Sequence, residues 1–158
     1  MKKNAKWMGL SLAGIAVMTA IAVYAANVHL KGGPPSFTDN GTTATVCATL
    51  AGLGNGDLTV TLVGSGTETV VCTNPAGNFA PGNPGGVTVG GTTTVPASEI
   101  KNGTVHFCVT TTAPVCQSAS DCGCPNDNWT GTVTDVDFTS LTLVVEQGGE
   151  VVLTTAVK

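Results

Sequence analysis

The stretch Thr43-Ala44-Thr45-Val46-Cys47-Ala48-Thr49-Leu50 decides the fold class. Ala44, Val46, Ala48 and Leu50 fall on one side of an extended chain, with Thr43, Thr45, Cys47 and Thr49 on the other. A period of two with one apolar face is the pattern of a half-buried β-strand. The alternation recurs downstream. Leu58, Val60 and Leu62 alternate with Thr59 and Thr61, and residues 67–73 form a third strand. Residues 87–95 form a fourth, interrupted by Gly90-Gly91. Val105, Phe107 and Val109 face inward while His106 and Cys108 face outward. Residues 132–138, 141–147 and 151–157 complete the series, and Gly148-Gly149 joins the last two as a tight hairpin.

The remaining segments punctuate these strands. Residues 27–31 form a short extended piece, broken by Gly32-Gly33-Pro34-Pro35. Leu53-Gly54-Asn55-Gly56-Asp57 and Gly64-Ser65-Gly66 read as turns. Residues 74–86, dense in Pro, Gly and Asn, and residues 111–128 read as long irregular loops. About eight strands result, with no helical period and a dominance of β-branched Thr and Val. The expected fold is all-β: an antiparallel two-sheet sandwich of immunoglobulin-like or Greek-key kind, with a closed barrel as the alternative. From residue 26 onward the aromatics are Phe37, Phe79, Phe107, Phe138 and Trp129. A core so thin in aromatics gains from covalent support.

The first residues bear on compartment. Met1 to Lys6 is basic, residues 7–23 are apolar, and Val23-Tyr24-Ala25 offers a peptidase site. This pattern predicts a cleaved signal over residues 1–25 and one domain over 26–158; a retained membrane anchor is the competing reading. The style of the signal is bacterial. No later stretch is apolar enough to span a bilayer, so the mature protein is expected to be exported, to the periplasm or beyond the cell. Its charge is strongly one-sided. Residues 26–158 hold Lys31, Lys101 and Lys158 against ten acids and no Arg, a formal charge of −7. Phosphate neutralisation needs a basic surface, so nucleic-acid binding is excluded, as is a Lys/Arg-rich helix for anionic lipid.

Six cysteines, Cys47, Cys72, Cys108, Cys116, Cys122 and Cys124, all lie in the mature part. An even number in an exported chain of this size implies disulfides, with fifteen possible pairings. A metal cluster at Cys116, Cys122 and Cys124, completed by Cys108 or His106, is the competing reading. Cys47 and Cys108 both fall on the polar side of expected strands, which makes a cross-strand bridge sterically sound. Cys116–Cys122 would staple one loop.

Other chemistries find thinner support. A blue-type copper site needs two His, a reduced Cys and usually a Met. His29 and His106 exist, but every Met precedes residue 26. Calcium is the better metal candidate. Asp135 and Asp137 share one face of a strand, while Asp121, Asn126, Asp127 and Asn128 lie in the adjoining loop. The bland alternative is polar decoration of an exposed sheet. No Gly-x-Ser-x-Gly elbow or triad spacing occurs, and two carboxylates drawn from ten acids specify no glycosidase. Trp129 alone is available to stack on a sugar, and a Trp packed beside a disulfide is the plainer expectation. Three Asn-x-Thr sequons, at Asn40, Asn102 and Asn128, matter only in a glycosylating host. No catalytic residue and no cofactor are expected.

Three motifs occur together: Cys72-Thr73-Asn74-Pro75-Ala76-Gly77-Asn78 with Ala80-Pro81-Gly82, Ile100-Lys101-Asn102-Gly103-Thr104-Val105 with Phe107, and Cys124-Pro125-Asn126-Asp127-Asn128-Trp129-Thr130. With Leu50 to Asn55 ahead of them, they make the chain resemble a group of small exported bacterial β-proteins without an established activity. The resemblance covers most of the mature chain. It implies that Cys72 pairs with Cys124, since these two recur together in similar sequences, and it carries over no catalytic residue. The preferred set is then Cys72–Cys124, Cys47–Cys108 and Cys116–Cys122.

The functional expectation is a non-enzymatic structural or surface-interaction protein of the envelope or extracellular matrix. Its partner would be an envelope protein or a second copy of itself. In the latter version, residues 27–31 donate a strand to a neighbour's sheet. A small ligand- or calcium-binding module is the alternative, and a hydrolase built from scattered residues comes third.

Overall fold

A computed structural model describes residues 27–83 and 85–158; the expected signal segment 1–25 lies outside the described residues. The described chain folds into nine strands. They are β1 His29–Leu30, β2 Ser36–Asp39, β3 Ala44–Ala51, β4 Leu58–Thr73, β5 Phe79–Pro81, β6 Gly86–Val95, β7 Val105–Thr110, β8 Thr130–Gln147 and β9 Glu150–Ala156. One 3-10 turn, Ala97–Glu99, joins β6 to β7. Among the described residues no helix is long and apolar enough to cross a membrane.

Every pairing is antiparallel, and the strands divide into two sheets. In the first, β3 is central. β7 lies along one edge, and β1 and β2 share the other. In the second, β4 pairs with β8 along one side and with β6 and β5 along the other, and β9 completes the far edge. The chain passes from β3 to the second sheet, returns from β6 to lie beside β3 as β7, and crosses again to β8. That is the Greek-key connectivity of an immunoglobulin-like sandwich.

Three expected breaks are not breaks: β6 runs unbroken through Gly90-Gly91, and the other two lie inside the long strands. Gly64-Ser65-Gly66 sits inside β4, which runs unbroken for 16 residues, and β8 runs for 18 through Thr139-Ser140. The pairing of β4 with β8 shifts register between Ser65 and Gly66, so the glycines mark a bulge. A Cβ on Gly66 would stand 2.9 Å from Val136 Cγ1, and one on Gly64 2.8 Å from the Ser140 carbonyl. Small residues let two backbones close here; they do not reverse the chain. Likewise, residues 74–86 are not wholly irregular, because β5 pairs with β4 within them. Residues 27–31, expected as a donor to a neighbour, seat their central pair as β1 on the edge of β3 of the same chain.

The core follows from the alternation. Val46, Leu50, Phe107 and Val109 of one sheet meet Val60, Leu62, Leu143 and Val145 of the other, all buried. Phe37 packs edge-on against Phe138 at 6.3 Å between centroids, and the Lys158 ammonium lies 5.3 Å from the Phe37 ring centre. One side of the sandwich closes where Thr112 N–H donates to the Gly90 carbonyl at 2.8 Å, the other where Val136 N–H donates to Gly41 at 3.1 Å. Gln147, only 5% exposed, ties the β3–β4 connection down. Its Nε2 donates to the carbonyls of Gly54 (3.1 Å) and Gly56 (2.7 Å), and its Oε1 accepts from Gly54 N–H (2.9 Å). Gly148 and Gly149, with φ of 64° and 86°, turn β8 into β9 as a two-residue hairpin demands.

Three disulfides join Cys47–Cys108, Cys72–Cys124 and Cys116–Cys122, leaving no free cysteine among the described residues. With sequence separations of 61, 52 and 6, loop entropy assigns them about 4, about 4 and about 2 kcal/mol. Such a framework belongs to an oxidising, non-cytoplasmic environment.

Candidate functional site

The β4–β8 ladder continues beyond the main core and carries a second, smaller one. Val70, Cys72 and Cys122 are buried there, with Cys116, Cys124, Trp129 and Val133 packed against them. The loop 111–129 folds over this arm and is fastened by two of the three disulfides. Gly131 makes the fit possible, since a Cβ there would come 2.6 Å from Cys122 Sγ and 3.2 Å from Cys116 Sγ. Gly82 N–H donates to the Val70 carbonyl, and Asn83 N–H to that of Cys122, which draws the β5 segment onto the same unit. Trp129 is therefore a packing residue beside a disulfide, as the plainer expectation had it.

The three sequence motifs turn out to be turns. Asn74 Oδ1 accepts from Ala76 N–H at 3.0 Å and Asn78 N–H at 2.8 Å, closing the β4–β5 hairpin. Asn102, with φ of 51°, and Gly103, with φ of 69°, reverse the chain between Lys101 and Thr104, whose backbones exchange two hydrogen bonds at 2.9 Å. Asn126 Oδ1 accepts from Asn128 N–H at 3.0 Å. These side chains satisfy backbone donors within their own turns, a structural use of Asn that needs no ligand.

The arm also presents apolar side chains to solvent. Phe79 on β5 is 74% exposed and Val115 in the loop 111–129 is 72% exposed. Beside Val115 lies a shallow open cleft of about 310 Å³, lined by Thr42, Ala113, Pro114, Cys116, Gly131, Thr132 and Val133. Neither residue stood out in the sequence, because an isolated Phe in a Pro-rich loop carries no periodicity.

The sequence candidates are distributed as follows. Asp135 and Asp137 are exposed on β8, opposite Thr69 and Thr67. Asp127 lies in the loop before β8, and the five residue steps of strand from Thr130 to Asp135 span about 16 Å. These carboxylates are not brought together as a set of three. His29 Nδ1 lies 2.9 Å from the Asn27 carbonyl. Cys116, Cys122 and Cys124 are engaged in disulfides, so the zinc-cluster alternative fails. Among the described residues, one group of His, Cys and carboxylate donors lies within metal-binding reach: Cys47, His106 and Cys108, all on the outer face of the first sheet. Here Cys47 and Cys108 are directly paired across β3 and β7 and are joined by their disulfide.

The chain matches no protein-family model, no curated protein and no solved structure.

Proposed function

We propose that the protein is an exported, non-enzymatic component of the cell envelope or extracellular matrix that works by surface contact, with the knit arm as its contact face. One observation carries this reading: the arm that bears two of the three disulfides leaves Phe79 and Val115 exposed to water. Exposed apolar side chains on a preorganised support suit a contact surface, because little ordering entropy is lost on binding. The acidic balance and the Thr-rich faces, where Thr45 bonds Thr110 and Thr61 bonds Thr92, fit a mainly polar surface elsewhere, where Val63 and Val151 are the other large apolar side chains exposed among the described residues. The test is a Phe79→Asp/Val115→Asp double variant, expressed in the native host and fractionated. The expected result is a normal fold by circular dichroism with loss from the envelope or matrix fraction. Undiminished retention of the folded variant in that fraction would overturn the reading.

A second reading, self-association through the N-terminal segment, has its own support. β1 is held by two ladder pairs, and the adjoining Gly32 and Gly33 adopt φ of 88° and 126°. A strand so briefly paired, on so pliant a tether, can exchange between copies. Concentration-dependent oligomers that disappear on removal of residues 26–33 would support it, and a monomer at high concentration with the segment intact would exclude it.

A further inference from the structure

We propose that Cys47, Cys108 and His106 form a thiol-gated site for a thiophilic cation, Zn²⁺ or Cu⁺, closed while the disulfide is intact and opened by its reduction. The argument starts from register. Cys47 pairs directly with Cys108, and Thr49 directly with His106, in the β3–β7 ladder. Residues two apart share a face, so these four side chains form one block on the outside of the first sheet. Within it, His106 Nε2 lies 3.9 Å from Cys108 Sγ, and the two sulfurs and an imidazole nitrogen all fall within 4.8 Å of one another.

The fourth member orients the ring. His106 Nδ1 is 3.2 Å from Thr49 Oγ1. With Nδ1–H donating to that hydroxyl, the Nε2 lone pair faces the sulfurs, the arrangement in which protein metal sites hold a ligating histidine. Two thiolates and one imidazole make a donor set for Zn²⁺ or Cu⁺, with one position left for solvent or a ligand. Opening the S–S bond frees the sulfurs to separate until each makes a metal–sulfur bond of about 2.3 Å.

Accessibility selects this bridge over the other two. Cys108 is exposed and Cys47 half-buried, whereas each of the other bridges joins a half-buried cysteine, Cys124 or Cys116, to a buried one, Cys72 at 0% or Cys122 at 1% exposure. An incoming thiolate therefore reaches the Cys47–Cys108 bond first. The reductant is a dithiol. One of its sulfurs attacks a bridge sulfur to give a mixed disulfide, releasing the other cysteine; its second sulfur then attacks the first and releases the remaining cysteine. The dithiol leaves as a cyclic disulfide, having lost two electrons and two protons, and Cys47 and Cys108 gain them as thiols. Metal binding then displaces the two thiol protons. Six paired residues of β3 and β7 over a buried apolar face keep the sheet in place meanwhile.

The experiment treats the mature protein with limiting dithiothreitol under native conditions, alkylates the thiols and maps them. Cys47 and Cys108 should be labelled at least about 10-fold faster than the other four. The singly reduced protein is then titrated with Zn²⁺ and, separately, Cu⁺ against a chromophoric chelator. At least one of them should bind with 1:1 stoichiometry, weakened at least about 10-fold by His106→Ala and absent in the oxidised protein. The oxidised and reduced wild-type proteins, each checked by circular dichroism, carry the test without any cysteine variant. Opening of another disulfide first, failure of the reduced protein to bind either cation, or unchanged binding in His106→Ala would each refute the proposal.

Discussion

Gly90 and Gly91 are neighbours in β6, yet the structure assigns them opposite responses to the same substitution. At Gly90 an added Cβ meets only the Leu62 carbonyl at 3.7 Å, an ordinary contact. Neither glycine has a positive φ, so alanine brings no backbone strain at either. Gly90→Ala should therefore stabilise by about 0.4–1 kcal/mol, through the smaller entropy of the unfolded chain. At Gly91 the Cβ would collide with the Thr110 carbonyl and stand 3.0 Å from Thr111 Cα. Both are backbone atoms at the seam where β7 meets β6, next to the Thr112–Gly90 hydrogen bond, and backbone cannot rotate away as a side chain can. Overpacking of that kind costs about 1–3 kcal/mol, and the absence of a soft neighbour puts Gly91→Ala at about 3 kcal/mol. For a chain of this size that lowers Tm by about 10 °C, against a rise of a few degrees for Gly90→Ala. Thermal and urea unfolding with the disulfides intact would measure both. Equal shifts for the two variants, or a Gly91→Ala effect under about 0.5 kcal/mol, would refute the placement of the seam.

Other positions test other joints of the fold. Gln147→Leu keeps the volume but strips three hydrogen bonds from Gly54 and Gly56, and should cost about 2–3 kcal/mol in urea unfolding. Asn102→Ala removes the short polar side chain that makes φ of 51° tolerable and should destabilise by about 1 kcal/mol, while Asn102→Gly should be near neutral by the same measurement. Replacing Cys72 and Cys124 together by Ala removes a bridge of separation 52 and should lower stability by about 4 kcal/mol, read as a shift in urea midpoint. Gly131→Ala should hinder closure of the Cys116–Cys122 staple, seen as free thiols after oxidative refolding, because its Cβ would sit 2.6 Å from Cys122 Sγ.

The alternation of residues 43–50 and its repeats specified strands, and the absence of a helical period specified their class, because side-chain direction along an extended chain is local geometry. Turn chemistry was equally legible: Gly148-Gly149 forms the expected hairpin. The cross-strand Cys47–Cys108 bridge was also foreseeable from the face each cysteine occupies. Glycine inside a run of strand residues is ambiguous by contrast, since it permits both a turn and a close backbone approach. Only the neighbouring β8 decides that Gly64 and Gly66 serve the second purpose. β2 and β5 carry little burial and so little alternation, and their pairing partners alone make them strands. The same holds for the site. Asp135 and Asp137 share a face as their spacing required, but the extended backbone separates them from Asp127. His106 meets Cys108 by spacing alone, whereas Cys47 and Thr49 join them only through the register of β3 against β7. Local periodicity is written along one chain; the atoms that meet across two chains depend on a register that buried side chains set together.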